Sequence, residues 1–121
     1  MSQIKQVIVI RKDLKMRRGK EITQGSHASS SFMTKQGKTF TFNKTQLDWL
    51  SSGQTKITLV VDSEEELIEL FNKARKMGLE AHLITDAGRT EFNGVPTKTA
   101  IAIGPNLSSK IDEITGGLKL Y

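Results

Sequence analysis

The chain has no cysteine, which excludes disulfides, thiolate metal sites and a cysteine nucleophile. No apolar run approaches the length of a bilayer span and the first residues hold no apolar signal core. A cytoplasmic protein with no membrane partner is therefore expected. Histidine is nearly absent as well: His27 and His82 stand far apart, with no paired carboxylates at ligand spacing, so no metal is expected. No stretch reads as a linker, a repeat or a low-complexity tract. A length of 121 residues suits one domain, residues 1–121, able to bury a modest core unaided.

What is present is charge, unevenly placed. Lys and Arg outnumber Asp and Glu by 11 to 3 in residues 1–60, whereas residues 61–121 hold 7 against 10, which returns the net +5. One positive face is implied, with a polyanionic partner. Six of the ten residues 11–20 are basic: Arg11, Lys12, Lys15, Arg17, Arg18 and Lys20. They follow the apolar run Val7-Ile8-Val9-Ile10, which reads as a buried strand, so the basic block reads as the loop leaving its carboxyl end. Ligands of open α/β sheets gather outside such ends, and dense positive charge there suits nucleic-acid phosphate. For a charge run alone, a merely solvated loop is the commoner explanation.

The pattern along the chain alternates strand and helix. Strands are expected at 4–10, 56–61, 81–85 and 99–104. Helices are expected at 21–35 with a weak apolar stripe, at about 45–51, after Ser63 as far as Gly78, and before Gly116-Gly117. A break is expected at residues 36–38. Thr45 with Asp48 and Ser63 with Glu66 have capping-box spacing. Leu47 and Leu50 are expected inside the second helix, and Trp49 is expected in the core rather than as a stacking platform. Leu67, Leu70, Phe71, Ala74 and Met77 form the inner stripe of the third helix. Its charges match the helix dipole, so its acidic first turn needs no metal to explain it. The expected fold is α/β, a single three-layer α/β/α domain with a four-stranded mixed sheet. The short link between the last two strands leaves them either antiparallel neighbours or joined across another strand.

Candidate chemistry sits on two loops. If the first and third strands run the same way, Lys20 and the segment Asp86-Ala87-Gly88-Arg89-Thr90 share one edge. A partly buried Asp beside a Lys is a plausible acid–base or water-orienting pair. Arg89 is a fork suited to phosphate, and Thr97 and Thr99 offer further hydroxyls. Each residue alone has a plainer explanation: Asp86 as a cap for turn amides, Arg89 as its ion-pair partner, the threonines as ordinary strand residues. Ser26 and His27 cannot be a nucleophile and base, because adjacent helical residues diverge by about 100°; His27 reads as packed on the sheet or fixing a loop carbonyl. His82 reads as a core or interface residue. Gly19-Lys20 lacks the flanking glycine and hydroxyl of a phosphate loop, having Leu14 and Glu21 in those places, so nucleotide hydrolysis is rejected.

The whole chain resembles the type-2 peptidyl-tRNA hydrolases. The likeness is carried by residues 8–16, by Gly19-Lys20, and by Gln24 with Ser26-His27-Ala28. It continues through Asp86-Ala87-Gly88-Arg89-Thr90, Ile103-Gly104-Pro105, Thr115-Gly116 and the ending Leu118-Lys119-Leu120-Tyr121. It departs at Arg17, where a glycine is common, at Gly25, often cysteine, at Gly117, and over residues 34–46. The turn at 93–98 differs in length, which leaves Thr99 as the better equivalent of the family's second threonine and Thr97 in reserve.

The resemblance implies hydrolysis of the ester joining a peptide to the 3′ ribose of tRNA, without metal or other cofactor. It implies a catalytic group of Lys20, Asp86, Thr90 and Thr99, with His27 counted beside them. Arg11, Lys12, Lys15, Arg17, Arg18, Gln24 and Arg89 would hold the tRNA. The alternative is a catalytically inactive RNA-binding or protein-adaptor domain on the same fold. Homodimerisation, through a sheet edge or the first helix, is left open.

Overall fold

Apolar runs broken by turn residues become strands here, and capped amphipathic segments become helices. The computed structural model describes residues 3–35 and 37–121; Gln36, within the expected break, lies outside the described residues. The strands are β1 (Ile4–Arg11), β2 (Lys56–Val61), β3 (Ala81–Asp86), β4 (Thr97–Leu107) and β5 (Lys119–Leu120). The helices are α1 (Arg18–Thr34), α2 (Lys44–Ser51), α3 (Glu64–Lys76) and α4 (Ser108–Thr115). The five strands form one mixed sheet in the order β3-β4-β1-β2-β5. The expectation of four strands is corrected: β5 has only two residues, too few to show an alternating pattern.

β1 pairs parallel with β2 and antiparallel with β4, and β3 pairs antiparallel with β4. The last two long strands are thus antiparallel neighbours. It follows that β3 runs the same way as β1. Their carboxyl ends and the amino end of β4 share one edge, where Ile10 faces Ala100 and Asp86 faces Thr97. Alternate residues of β1 serve two apolar clusters, as the period of two requires. Val7 and Val9 join Leu67, Ala74, Ile111 and Ile114, whereas Ile8 and Ile10 join Met16 and Ala28.

Helix details differ from expectation in three places. α1 starts at Arg18, so Arg18, Gly19 and Lys20 occupy its first turn rather than a loop. Its N-cap, Arg17, makes no side-chain cap bond, which is why the start was invisible in the sequence. α2 is capped by Asn43 and Gln46 in a reciprocal box, not by Thr45 and Asp48. That start turns Gln46 and Trp49 inward and leaves Leu47 51% exposed. Met77 ends α3 exposed. The segment between α1 and α2 is held by aromatic edges: Phe32 meets Phe40, Phe42 and Trp49 at centroid distances of 5.6, 6.3 and 5.9 Å. Trp49 is core, and its Nε1–H donates to the Thr55 carbonyl at 2.9 Å.

Candidate active site

Three elements converge on Asp86. The residue ends β3, and the chain then turns sharply enough that the Gly88 N–H donates back to its Oδ2 at 2.9 Å. Gly88 has φ +80°, and a Cβ there would lie 2.5 Å from the Val95 carbonyl oxygen. Only glycine fits. Facing this turn, α1 presents Lys20, Gln24 and His27, spaced four and three residues apart on one flank.

The Lys20 ammonium donates to Asp86 Oδ1 at 2.9 Å and to Thr90 Oγ1 at 3.0 Å. Both members of the ion pair are largely removed from solvent, with side chains 13% and 15% exposed. At such a site a charge pair interacts more strongly than on an open surface. Gln24, itself buried, donates from Nε2 to Asp86 Oδ1 at 3.4 Å. The hydroxyl of fully buried Thr99 donates to Gln24 Oε1. That bond fixes which end of the amide faces Asp86, because the oxygen is already engaged.

The hydrogen bond from Lys20 is the main influence holding the Asp86 carboxyl below its ordinary value of 3.8. Partial burial pushes the other way. The Gly88 N–H, the charge on Lys20 and the Gln24 amide reinforce the lowering. Asp86 is therefore an anion at neutral pH and an acceptor of hydrogen bonds.

The remaining expected residues divide. Lys12, Lys15, Arg17, Arg18 and Arg89 are exposed. Arg17 has φ −61°, so the conformational freedom of a glycine is not required at that departure. Arg11 is buried; it forks onto Asp13 at 3.1 and 2.7 Å and donates to the Lys98 carbonyl at 3.0 Å. Its guanidinium ties β1 to β4. Arg89 is not paired with Asp86, whose partners are Lys20, Gln24 and the Gly88 amide.

His27 is exposed rather than packed on the sheet; it lines a shallow depression with Ile84 and Thr85. His82 bonds Glu80 at 2.5 Å. Thr97 donates to the Val95 carbonyl at 2.8 Å. Among the described residues no group of three or more His, Asp or Glu is placed to hold a metal ion, and no helix is long and apolar enough to cross a membrane.

Two features were missed in the sequence. The Phe92 ring centroid lies 5.9 Å from Lys20 Nζ. A mainly apolar groove of about 790 Å³ runs along the opposite flank of α1, beside Arg18, Ile22, Gly25 and Ser29, and ends at Tyr121. The Tyr121 hydroxyl donates to Glu21. Both arise from contacts between segments far apart in sequence, and neither has a local signature.

Comparison with known proteins adds to this geometry. Residues 4–121 match the family described as peptidyl-tRNA hydrolase PTH2. A peptidyl-tRNA hydrolase of Methanocaldococcus jannaschii is 47% identical over 97% of this chain and 99% of its own. One from Aeropyrum pernix is 42% identical over 97% and 95%. A solved structure of a protein of unknown function from Agrobacterium superposes with TM-score 0.64 over 100% of this chain and 99% of its own at 13% identity, a likeness of fold alone.

Proposed function

The chain belongs to the peptidyl-tRNA hydrolase PTH2 family, and from that premise we propose that it hydrolyses peptidyl-tRNA at the cluster centred on Lys20 and Asp86. The contact that carries the assignment is the shielded 2.9 Å pair between them, with Thr90 on the same ammonium. Asp86, kept anionic by Lys20, is a weak base and a good acceptor. Its part is to orient a water against the ester carbonyl carbon. Attack forms the bond from water oxygen to that carbon and moves charge onto the carbonyl oxygen, which an N–H of the Lys20 ammonium stabilises. Collapse breaks the bond to the ribose 3′ oxygen, which takes the proton that the water gives up. Thr90 holds the water or a ribose hydroxyl. Thr99, buried as it is, acts by orienting Gln24. His27 stands next along the same flank of α1, at the entrance for substrate.

Lys12, Lys15, Arg17, Arg18 and Arg89 supply an exposed positive rim for tRNA phosphates. The relatives' names do not favour the adaptor alternative. Residues 1–121 are taken as one domain and the sheet as the middle of three layers, a reading supported by the two apolar clusters on alternate sides of β1. The cytoplasm, where such a substrate arises, is the proposed compartment. Homodimerisation through β3 or α1 is decided by sedimentation, a single 13.4 kDa species removing it.

Incubation with an N-blocked aminoacyl-tRNA tests the activity. The protein should release the blocked amino acid, and Lys20→Ala and Asp86→Asn should each slow release about a hundredfold, roughly 3 kcal/mol, while melting as cooperatively as the parent. Full turnover in both variants would reject the site.

A further inference from the structure

We propose that Phe92 is a positioning residue for Lys20: its ring flanks the ammonium and holds it in place for the reaction. This rests on the reading of Lys20 as catalytic. The ring centroid lies 5.9 Å from Nζ, within the range at which a cation is drawn to an aromatic face. Asp86 and Thr90 occupy two of the three ammonium N–H groups. The ring adds a flank that accepts no conventional hydrogen bond, so it restrains the lysine without taking the third N–H from a substrate oxygen.

The backbone supports the assignment. Phe92 has φ +67°, followed by Asn93 at +51° and Gly94 at +76°. A bulky residue in the left-handed region is an outlier, and such strain persists only where surrounding contacts enforce it. Here they are visible. Gly94 N–H donates to the Gly88 carbonyl at 2.9 Å, and Val95 N–H to the Phe92 carbonyl at 2.9 Å. Gly88, whose amide caps Asp86, leaves no room for a Cβ beside Val95. The strained turn is thus docked on the Asp86 turn, while the half-buried Phe92 ring packs against the cluster containing Ile10 and Met16. One arrangement fixes carboxylate and ring together.

The test is a double-mutant cycle on N-blocked aminoacyl-tRNA hydrolysis. Phe92→Leu keeps an apolar side chain and removes the π face. It should lower kcat roughly five- to thirtyfold with KM unchanged, and Phe92→Tyr should restore turnover. In a Lys20→Ala background, Phe92→Leu should have no further effect, because residues acting as one unit are not additive. Unchanged kcat in Phe92→Leu, a change confined to KM, or an equal loss in both backgrounds would overturn the proposal. Should Phe92→Leu fail to fold, Phe92→Met carries the same cycle. Lys20→Ala with parental turnover would instead reject the site itself, a separate result.

Discussion

Helices α1 and α3 pack on the same sheet and are built by opposite rules. α3 obeys local ones. Ser63 accepts from the Glu66 N–H at 3.1 Å, Glu66 accepts from the Asp62 N–H at 3.1 Å, and the acidic first turn and basic last turn complement the dipole. Its buried stripe is apolar, with Leu67 and Ala74 inaccessible. α1 has an arginine without a side-chain cap bond at its start, and in its first turn Arg18 and Lys20 outnumber Glu21 at the end that favours anions. It buries Gln24, Gly25 and Ser31 alongside Ala28 and Phe32. Every reactive group of the proposed site on a helix lies on α1. Local consistency builds the scaffold, and departures from it mark where chemistry is carried.

The strongest challenge to that division is Leu67→Ala. Truncation at a fully buried position should cost about 2–5 kcal/mol of stability, seen as a lower Tm, while kcat of the folded fraction stays parental. A fall in kcat at a temperature where the variant is fully folded would erase the distinction between scaffold and site.

Thr99→Val sharpens the comparison from the other side. It leaves the buried Gln24 Oε1 without its donor, costing about 1–3 kcal/mol, and frees the amide to turn away from Asp86. The Asp86 carboxyl is lowered in the folded protein. The stability and activity that depend on its anionic form are therefore present above the ordinary carboxylate range and lost as pH falls through the lowered value. Losing the Gln24 N–H moves the acid limb of the pH–rate profile upward. Thr99→Ser should keep the parental profile. An acid limb unmoved in Thr99→Val would show that Gln24 does not reach Asp86.

The smallest expected effect is a gain. Gly25 sits mid-helix with ordinary φ, and a Cβ would meet Ile8 and Ile10 at 3.7 and 3.9 Å, normal contact distances. Gly25→Ala should stabilise by about 0.5–1 kcal/mol and raise Tm without altering kcat. A lower Tm would show that α1 is already optimal for stability.

The sequence already held much of this. Apolar patterning located β1 to β4 and α4, and capping located α3, because these signals lie within a few residues. Asp86-Ala87-Gly88 was legible as a turn closed on its own carboxylate, because the Asp86 side chain and the Gly88 N–H that donates to it lie two residues apart. The start of α1 was hidden because its N-cap, Arg17, makes no side-chain cap bond. The inward face of α2 was misplaced because Thr45 with Asp48 has capping-box spacing, whereas in the folded chain Asn43 and Gln46 form the box and Trp49 packs edge-on against Phe32.

By itself, then, the order of residues determined the element pattern, the asymmetry of charge and which side chains could do chemistry. Only the tertiary structure decided that Lys20, Gln24, Asp86 and Thr99 meet, that Arg11 turns inward to Asp13, and that Phe92 lies against Lys20. The reason is physical: propensity and periodicity act over a few neighbouring residues. Contacts 62 to 75 residues apart depend on strand order and on the packing of α1 over β4, which no local segment encodes.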